Sequence, residues 1–102
     1  MTKLVDTPFD AAKYIRSPEA VIDFLNDAFE SGHPPYIATV LGDVARSEGM
    51  TKLAKKTGVN RQALYTALSA DGNPTLETLL KVMTALGIRL KCEVIMDQAE
   101  AA

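Results

Sequence analysis

The amino-acid sequence predicts a mainly α-helical protein of about five helices with one β-strand near its C-terminus. Apolar residues recur at spacings of three and four, and glycine and proline interrupt this pattern at helix-length intervals. Residues 88–95 instead alternate apolar and polar side chains. With 102 residues, 47% of them hydrophobic, the chain is long enough to bury one core. We therefore expect a single domain over residues 1–102.

The N-terminal segment, residues 1–34, is predicted to be helical. Thr7 and Pro8 form a start signal for a brief helix that carries Phe9, Ala12, Tyr14 and Ile15. A stronger signal is Ser17-Pro18-Glu19, because serine caps a helix, proline fits its first turn and glutamate faces the positive end of its dipole. This signal predicts a helix over about 18–30. Its apolar stripe is Val21, Ile22, Leu25, Ala28 and Phe29.

Two further helices belong to a predicted core over residues 35–87. The first covers about 35–48 and is closed by Gly49. Its inward residues are Ile37, Val40, Leu41, Val44 and Ala45. The other begins after a capping Thr75 and is closed by Gly87. Its expected inward residues are Leu76, Leu79, Leu80, Met83 and Leu86.

The predicted strand covers residues 88–96 and is followed by a short polar tail, residues 97–102. Its expected buried face consists of Ile88, Leu90, Cys92 and Val94. A lone strand needs a partner for its backbone hydrogen bonds. That partner is a second copy of the chain, another protein or the segment Lys3–Val5. We favour a second copy, so that the strand makes a homodimer.

Residues 51–68 predict two short helices joined by a three-residue turn. Thr51 is a candidate cap of the first helix, Gly58 ends it in a left-handed conformation, and Asn60 caps the second helix. Val59 fills the corner between the helices. The apolar residues Leu53, Leu64 and Leu68 are expected to anchor both helices to the core.

This arrangement leaves polar side chains on the outer face of the second helix. They are Arg61, Gln62, Tyr65 and Thr66. An α-helix fits the major groove of DNA, where Arg bonds guanine, Gln bonds adenine, and Thr or Tyr adds hydroxyl and apolar contacts. In a competing interpretation, the Tyr65 ring belongs to the core and only its end reaches the surface.

The charge distribution supports DNA binding independently of the helix pattern. Residues 49–70 contain Lys52, Lys55, Lys56 and Arg61 and no acid, a local charge of +4. The preceding residues 1–48 carry −4 and the following residues 71–102 carry −2. The overall charge of −2 therefore conceals a basic patch, although Lys52 is equally well explained as a solvated surface lysine.

Several other classes of function find no support in the sequence. No apolar run exceeds three residues, which argues against a membrane span or a secretory signal and favours a cytoplasmic protein. The single cysteine, Cys92, and the single histidine, His33, provide no multi-ligand metal site. Nucleotide-cradling and hydrolase motifs are absent. We expect no enzymatic activity, no metal and no cofactor.

The residues of the predicted turn also carry a family resemblance. The spacing Ala54, Gly58, Val59 and Leu64, followed by the segments 73–79 and 85–87, resembles the lambda-repressor-like helix-turn-helix domain of Cro/C1-type (XRE) regulators. Within that group, residues 9–15 and 63–69 resemble addiction-module antidote proteins of the HigA-like antitoxin kind. One departure is Met50, where many of these regulators have glutamine.

The resemblance implies an antitoxin that represses its own operon and neutralises a small basic RelE/HigB-like toxin. It places the base contacts at the four outer-face residues of the second helix and phosphate contacts at Thr51, Lys55, Lys56 and Asn60. A homodimer would bind a pseudo-palindromic double-stranded operator. Two alternatives are a repressor of the same fold without a toxin, and a protein-interaction adaptor.

Overall fold

The computed structural model describes residues 17–96, and this part of the chain forms five α-helices. They are α1 (Pro18–Ser31), α2 (Pro34–Glu48), α3 (Met50–Thr57), α4 (Arg61–Ala67) and α5 (Leu76–Ala85). All five agree with predicted helices to within a few residues at each end. The brief helix predicted around Phe9, Ala12, Tyr14 and Ile15 and the predicted tail, residues 97–102, lie outside the described residues.

Side-chain and glycine caps set the ends of α1 and α5 as the sequence predicts. The Ser17 hydroxyl accepts a hydrogen bond from the Ala20 amide at 3.1 Å, and the Thr75 hydroxyl accepts one from the Thr78 amide at 3.1 Å. At the end of α5, Gly87 has φ = 78°, and the next residue, Ile88, donates its amide to the Met83 carbonyl at 2.9 Å. This pairing satisfies the last carbonyls of α5.

The predicted cap of α3 is wrong. Gly49, at φ = 111°, precedes α3 and supplies no side-chain cap, whereas Thr51 lies inside the first turn of that helix. The cause is the sharp junction between α2 and α3. A single glycine with positive φ separates the two helices, so α3 begins one residue before the threonine.

One apolar cluster joins the helices. Its buried members are Leu25, Ala28, Val40, Leu41, Val44, Ala45, Met50, Leu53, Leu64, Leu68, Val82 and Met83. The predicted inward face of α2 is confirmed, with Val40, Leu41, Val44 and Ala45 buried and Ile37 packed against the cluster.

Three leucine or isoleucine residues expected in the core are exposed instead. Ile22 is 42% exposed, Leu76 67% and Leu80 45%, while Val82 of α5 is fully buried. The reason is how each helix is rotated about its own axis, which decides the side that faces the core. The buried stripe of α5 is centred on Val82 and Met83, so Leu76 and Leu80 fall outside it. The buried stripe of α1 is centred on Leu25 and Ala28, and Ile22 lies at its edge.

The predicted C-terminal strand is absent from the described part of the chain. Residues 88–95 form no helix and no strand there. A strand requires a neighbouring strand with which to exchange backbone hydrogen bonds, and residues 17–96 contain no strand that pairs with this segment. Of its expected buried face, only Ile88 packs on the core. Leu90, Cys92 and Val94 are exposed, so the prediction of a buried Cys92 is also wrong.

Helix α2 approaches the end of α4 at backbone distance. A methyl group placed on Gly42 would overlap the carbonyl oxygen of Leu68 and lie 3.4 Å from Nη1 of Arg46. The neighbouring Asp43 is buried and accepts a hydrogen bond from Arg46. Burial raises the pKa of Asp43, and the positive charge of Arg46 opposes that increase. Glycine at position 42 therefore permits the contact that holds the C-terminal end of α4.

We predict that Gly42→Ala destabilises the protein by about 1–3 kcal/mol, because the added methyl group overlaps the Leu68 carbonyl. In an uncrowded helix interior the same substitution would stabilise by about 1 kcal/mol, so the sign is diagnostic. Urea unfolding of the wild type and the variant measures the difference. A Gly42→Ala variant more stable than the wild type would contradict the close approach of α2 to α4.

Candidate nucleic-acid interface

Helix α4 has one buried face and one polar, solvent-exposed face. Leu64 is fully buried and Leu68, immediately after the helix, is 3% exposed. On the other face, Arg61, Gln62 and Thr66 are exposed, and Tyr65 is 37% exposed. Tyr65 is therefore not a core aromatic residue. The structure brings all four predicted base-contacting residues together on the surface of α4.

The turn before α4 has the predicted components. Gly58, at φ = 77°, ends α3 and donates its amide to the Ala54 carbonyl at 2.9 Å. Val59 packs against the core. Oδ1 of Asn60 accepts hydrogen bonds from the amides of Gln62 at 2.7 Å and Ala63 at 3.1 Å, which caps α4. These bonds fix where α4 begins.

Sequence reasoning missed a second support for this turn. The hydroxyl of Thr57 donates to the Leu53 carbonyl at 2.8 Å and accepts from the Val59 amide at 3.1 Å. It thereby ties the last turn of α3 to the corner. Threonine directly before glycine at the end of a helix was the available signal, since threonine often bonds the backbone four residues back.

Sequence reasoning also missed an interaction within the exposed face. The guanidinium carbon of Arg61 lies over the Tyr65 ring, 5.0 Å from its centroid, and Nη2 of Arg61 donates to the Tyr65 hydroxyl at 3.4 Å. The spacing of four residues places both side chains on one helical face. Because the Arg61 guanidinium and the Tyr65 hydroxyl are both candidate ligand-binding groups, their interaction affects which hydrogen-bond donors and acceptors α4 offers to a ligand.

Helix α3 contributes further exposed polar and basic residues. Lys55 and Lys56 are exposed in its last turn, and Thr51 is exposed in its first. Lys52 lies 3.6 Å from Glu48, whereas within residues 17–96 no acidic group lies within 4 Å of the charged groups of Lys55, Lys56 or Arg61. The exposed cationic side chains of α3 and α4 at these three positions are therefore not neutralised by described neighbours.

We use the name basic face for a set of exposed residues on α3, on α4 and in the turn between them. It comprises the exposed residues Thr51, Lys55, Lys56, Asn60, Arg61, Gln62, Tyr65 and Thr66.

Residues 17–96 contain no group of three or more metal-ligating side chains. None of the helices described there is long and apolar enough to cross a membrane. Tyr36 donates a hydrogen bond to Asp27 at 2.7 Å, which raises the pKa of its hydroxyl and links α2 to α1. This contact is exposed and structural.

Comparison with known proteins identifies a family. The model of a family described as "probable addiction module antidote protein" matches residues 6–94. The chain belongs to this family. It is also similar to an uncharacterized protein of Haemophilus influenzae (strain ATCC 51907 / DSM 11121 / KW20 / Rd), with 38% identity over 85 residues that cover 83% of this chain and 88% of that protein. No solved structure matches the chain.

Membership confirms the resemblance to addiction-module antidote proteins. A probable antidote has a toxin as its counterpart, and its role is regulatory. The family match spans all five helices, including the whole basic face and most of the segment after α5.

We predict that Asn60→Ala destabilises the protein by about 1 kcal/mol, because the amides of Gln62 and Ala63 lose their acceptor. Asn60→Asp is the matched control, since a carboxylate oxygen accepts the same two bonds and should preserve stability. Urea unfolding with both variants measures the effect. Equal stability of Asn60→Ala and the wild type would contradict this capping role.

Proposed function

We propose that this protein is a sequence-specific DNA-binding antidote, which represses its own operon and neutralises the toxin encoded there. The observation that carries the DNA-binding part is the exposure of Arg61, Gln62 and Thr66 on α4, opposite the buried Leu64. These polar side chains have no role in the core. The basic face also contains the exposed cations Lys55 and Lys56, which suit a polyanionic ligand.

The dimensions of α4 suit a major groove. An α-helix with its side chains is about 10–12 Å in diameter, and the major groove of B-DNA is about 12 Å wide, so the seven-residue α4 can lie in it. Arg61 and Gln62 lie in the first turn, with Thr66 about one turn later. In this proposal Arg61 pairs with guanine, Gln62 with adenine, and Thr66 contributes a hydroxyl or methyl contact.

Residues of α3 and the turn would bind phosphates. Lys55 and Lys56 supply exposed positive charge at the end of α3, and Thr51 supplies an exposed hydroxyl. Since Oδ1 of Asn60 is used as the cap of α4, its side-chain NH2 is the group that would reach a phosphate. Such contacts set the register of α4 on the duplex without reading its sequence.

A homodimer completes the proposal. Beyond Ile88 the chain exposes four apolar side chains, Leu90, Val94, Ile95 and Met96, whose burial against a second copy would be favourable. Contact between two such segments would make a dimer with two basic faces. A two-fold dimer binds a pseudo-palindromic operator with half-sites about one helical turn apart.

The toxin-binding surface is proposed on α1. This helix carries Glu19, Asp23, Asp27 and Glu30, all exposed, and no basic residue. A small RelE/HigB-like toxin that acts on RNA is expected to be basic, so charge complementarity favours this helix. The acidic and basic faces lie on different helices, which would permit simultaneous binding of toxin and DNA.

Substitutions on the basic face should separate base reading from phosphate binding. We predict that Arg61→Ala and Gln62→Ala each weaken binding to the upstream DNA by about 1–3 kcal/mol and relax base preference. Lys55→Ala and Lys56→Ala should weaken binding to all sequences alike. Gel shifts with the upstream duplex and a scrambled duplex distinguish the two effects, and Asn26→Ala, on the exposed side of α1, is the control.

The salt dependence checks the same surface. Lys55 and Lys56 would neutralise about two phosphates per protomer, which predicts a slope of log K against log salt of about −4 for a dimer. If the double variant Arg61→Ala/Gln62→Ala binds the upstream duplex as the wild type does, then α4 does not read DNA.

For the toxin, we predict that Asp23→Lys with Glu30→Lys weakens binding of the toxin by about tenfold or more, because opposite charges become like charges. Asp71→Lys with Glu77→Lys is the matched double charge reversal, at exposed positions outside α1. The toxin is the product of the adjacent gene, and co-purification followed by calorimetry measures its affinity. Unchanged affinity in the double variant would exclude α1 as the toxin-binding surface.

A further inference from the structure

Both interactions that the structure gives the Arg61 guanidinium within residues 17–96 are made with Tyr65. The ring lies beneath the guanidinium at 5.0 Å, and the hydroxyl accepts from Nη2 at 3.4 Å. No acidic group within the described chain lies within 4 Å of Arg61. Tyr65 is therefore the residue that determines where the guanidinium lies in the free protein.

The geometry leaves Arg61 competent to bind a base. One of its five N–H donors faces the Tyr65 hydroxyl, and the others are available to a ligand. A planar guanidinium above an aromatic face loses rotational freedom before any ligand arrives. Bidentate recognition of guanine requires a fixed orientation of this planar group, whereas attraction to a phosphate does not.

We propose that Tyr65 is a positioning residue, which holds Arg61 in the orientation that reads guanine. This inference rests on the proposed function and deepens it. It replaces the earlier expectation that Tyr65 itself contacts a base. The selectivity of the protein at one operator position would then depend on a residue that touches no DNA.

The test first locates the base read by Arg61. In a methylation-interference assay on the upstream duplex, the guanine whose N7 methylation inhibits the wild type but not Arg61→Ala is the base contacted by Arg61. Replacing that guanine with 7-deazaguanine removes the N7 acceptor. The ratio of the dissociation constants for the modified and unmodified duplexes measures the selectivity due to Arg61.

Two variants then separate the ring from the hydroxyl. Tyr65→Leu removes both interactions, and we expect the 7-deazaguanine ratio to fall about two- to fivefold. Tyr65→Phe keeps the ring under Arg61, and its ratio should stay close to the wild-type value. In the Arg61→Ala background, Tyr65→Leu should change neither the ratio nor the affinity.

Each alternative outcome overturns the inference. An equal affinity loss from Tyr65→Leu with and without Arg61 would make Tyr65 a direct DNA contact. An unchanged ratio in Tyr65→Leu would show that Arg61 needs no support from Tyr65. The contrast at the base read by Gln62 serves as the internal control, since it should be unaffected. Failure of the proposed function is distinguishable, because then the wild type shows no preference for the upstream duplex or Arg61→Ala binds it normally.

Discussion

The burial of Leu64 and Leu68 is the constraint on which the rest of the interface depends. Both side chains belong to the same core cluster as Leu41 of α2 and Leu53 of α3. Exposing two such side chains would cost about 1.5–3 kcal/mol each, so α4 is held in one rotational setting. Because the buried side of the helix is fixed, Arg61, Gln62 and Thr66 must face solvent. The position of the proposed DNA-binding surface is therefore a consequence of core packing.

Two local devices maintain that setting at opposite ends of α4. At its start, Asn60 accepts two backbone amides and Thr57 braces the corner. At its end, the absence of a side chain on Gly42 lets α2 meet the backbone of Leu68. A short helix has little stability of its own, so it depends on such contacts. These contacts hold the backbone from which the polar side chains project, and a backbone that is already ordered lowers the entropic cost of binding.

The turn between α3 and α4 was predictable because each of its residues has a local physical requirement. Gly58 accommodates a left-handed backbone, and Asn60 accepts the first amides of α4. Properties that depend on how separate elements pack against one another were not predictable from the sequence. The exposure of Leu76 and Leu80 follows from which side of α5 packs on the core, and the spacing of the leucines alone did not identify that side. The alternation after Gly87 indicated a strand, but strands require partners that a local pattern cannot supply.

Charge and family membership bear on different parts of the proposed function. The +4 window over residues 49–70 and the exposed polar face of α4 support DNA binding. Membership in a family of probable addiction module antidote proteins provides the toxin as a counterpart. The acidic α1 offers a surface of the opposite sign for it.

The most direct test of the central claim is a titration of the isotope-labelled protein with the upstream duplex, followed by backbone amide NMR. The account predicts that the largest chemical-shift changes fall within residues 50–68, and that a scrambled duplex at the same salt concentration produces smaller changes in that region. Changes concentrated on α1 or α5, or none in α4, would contradict the claim that the exposed face of α4 reads DNA.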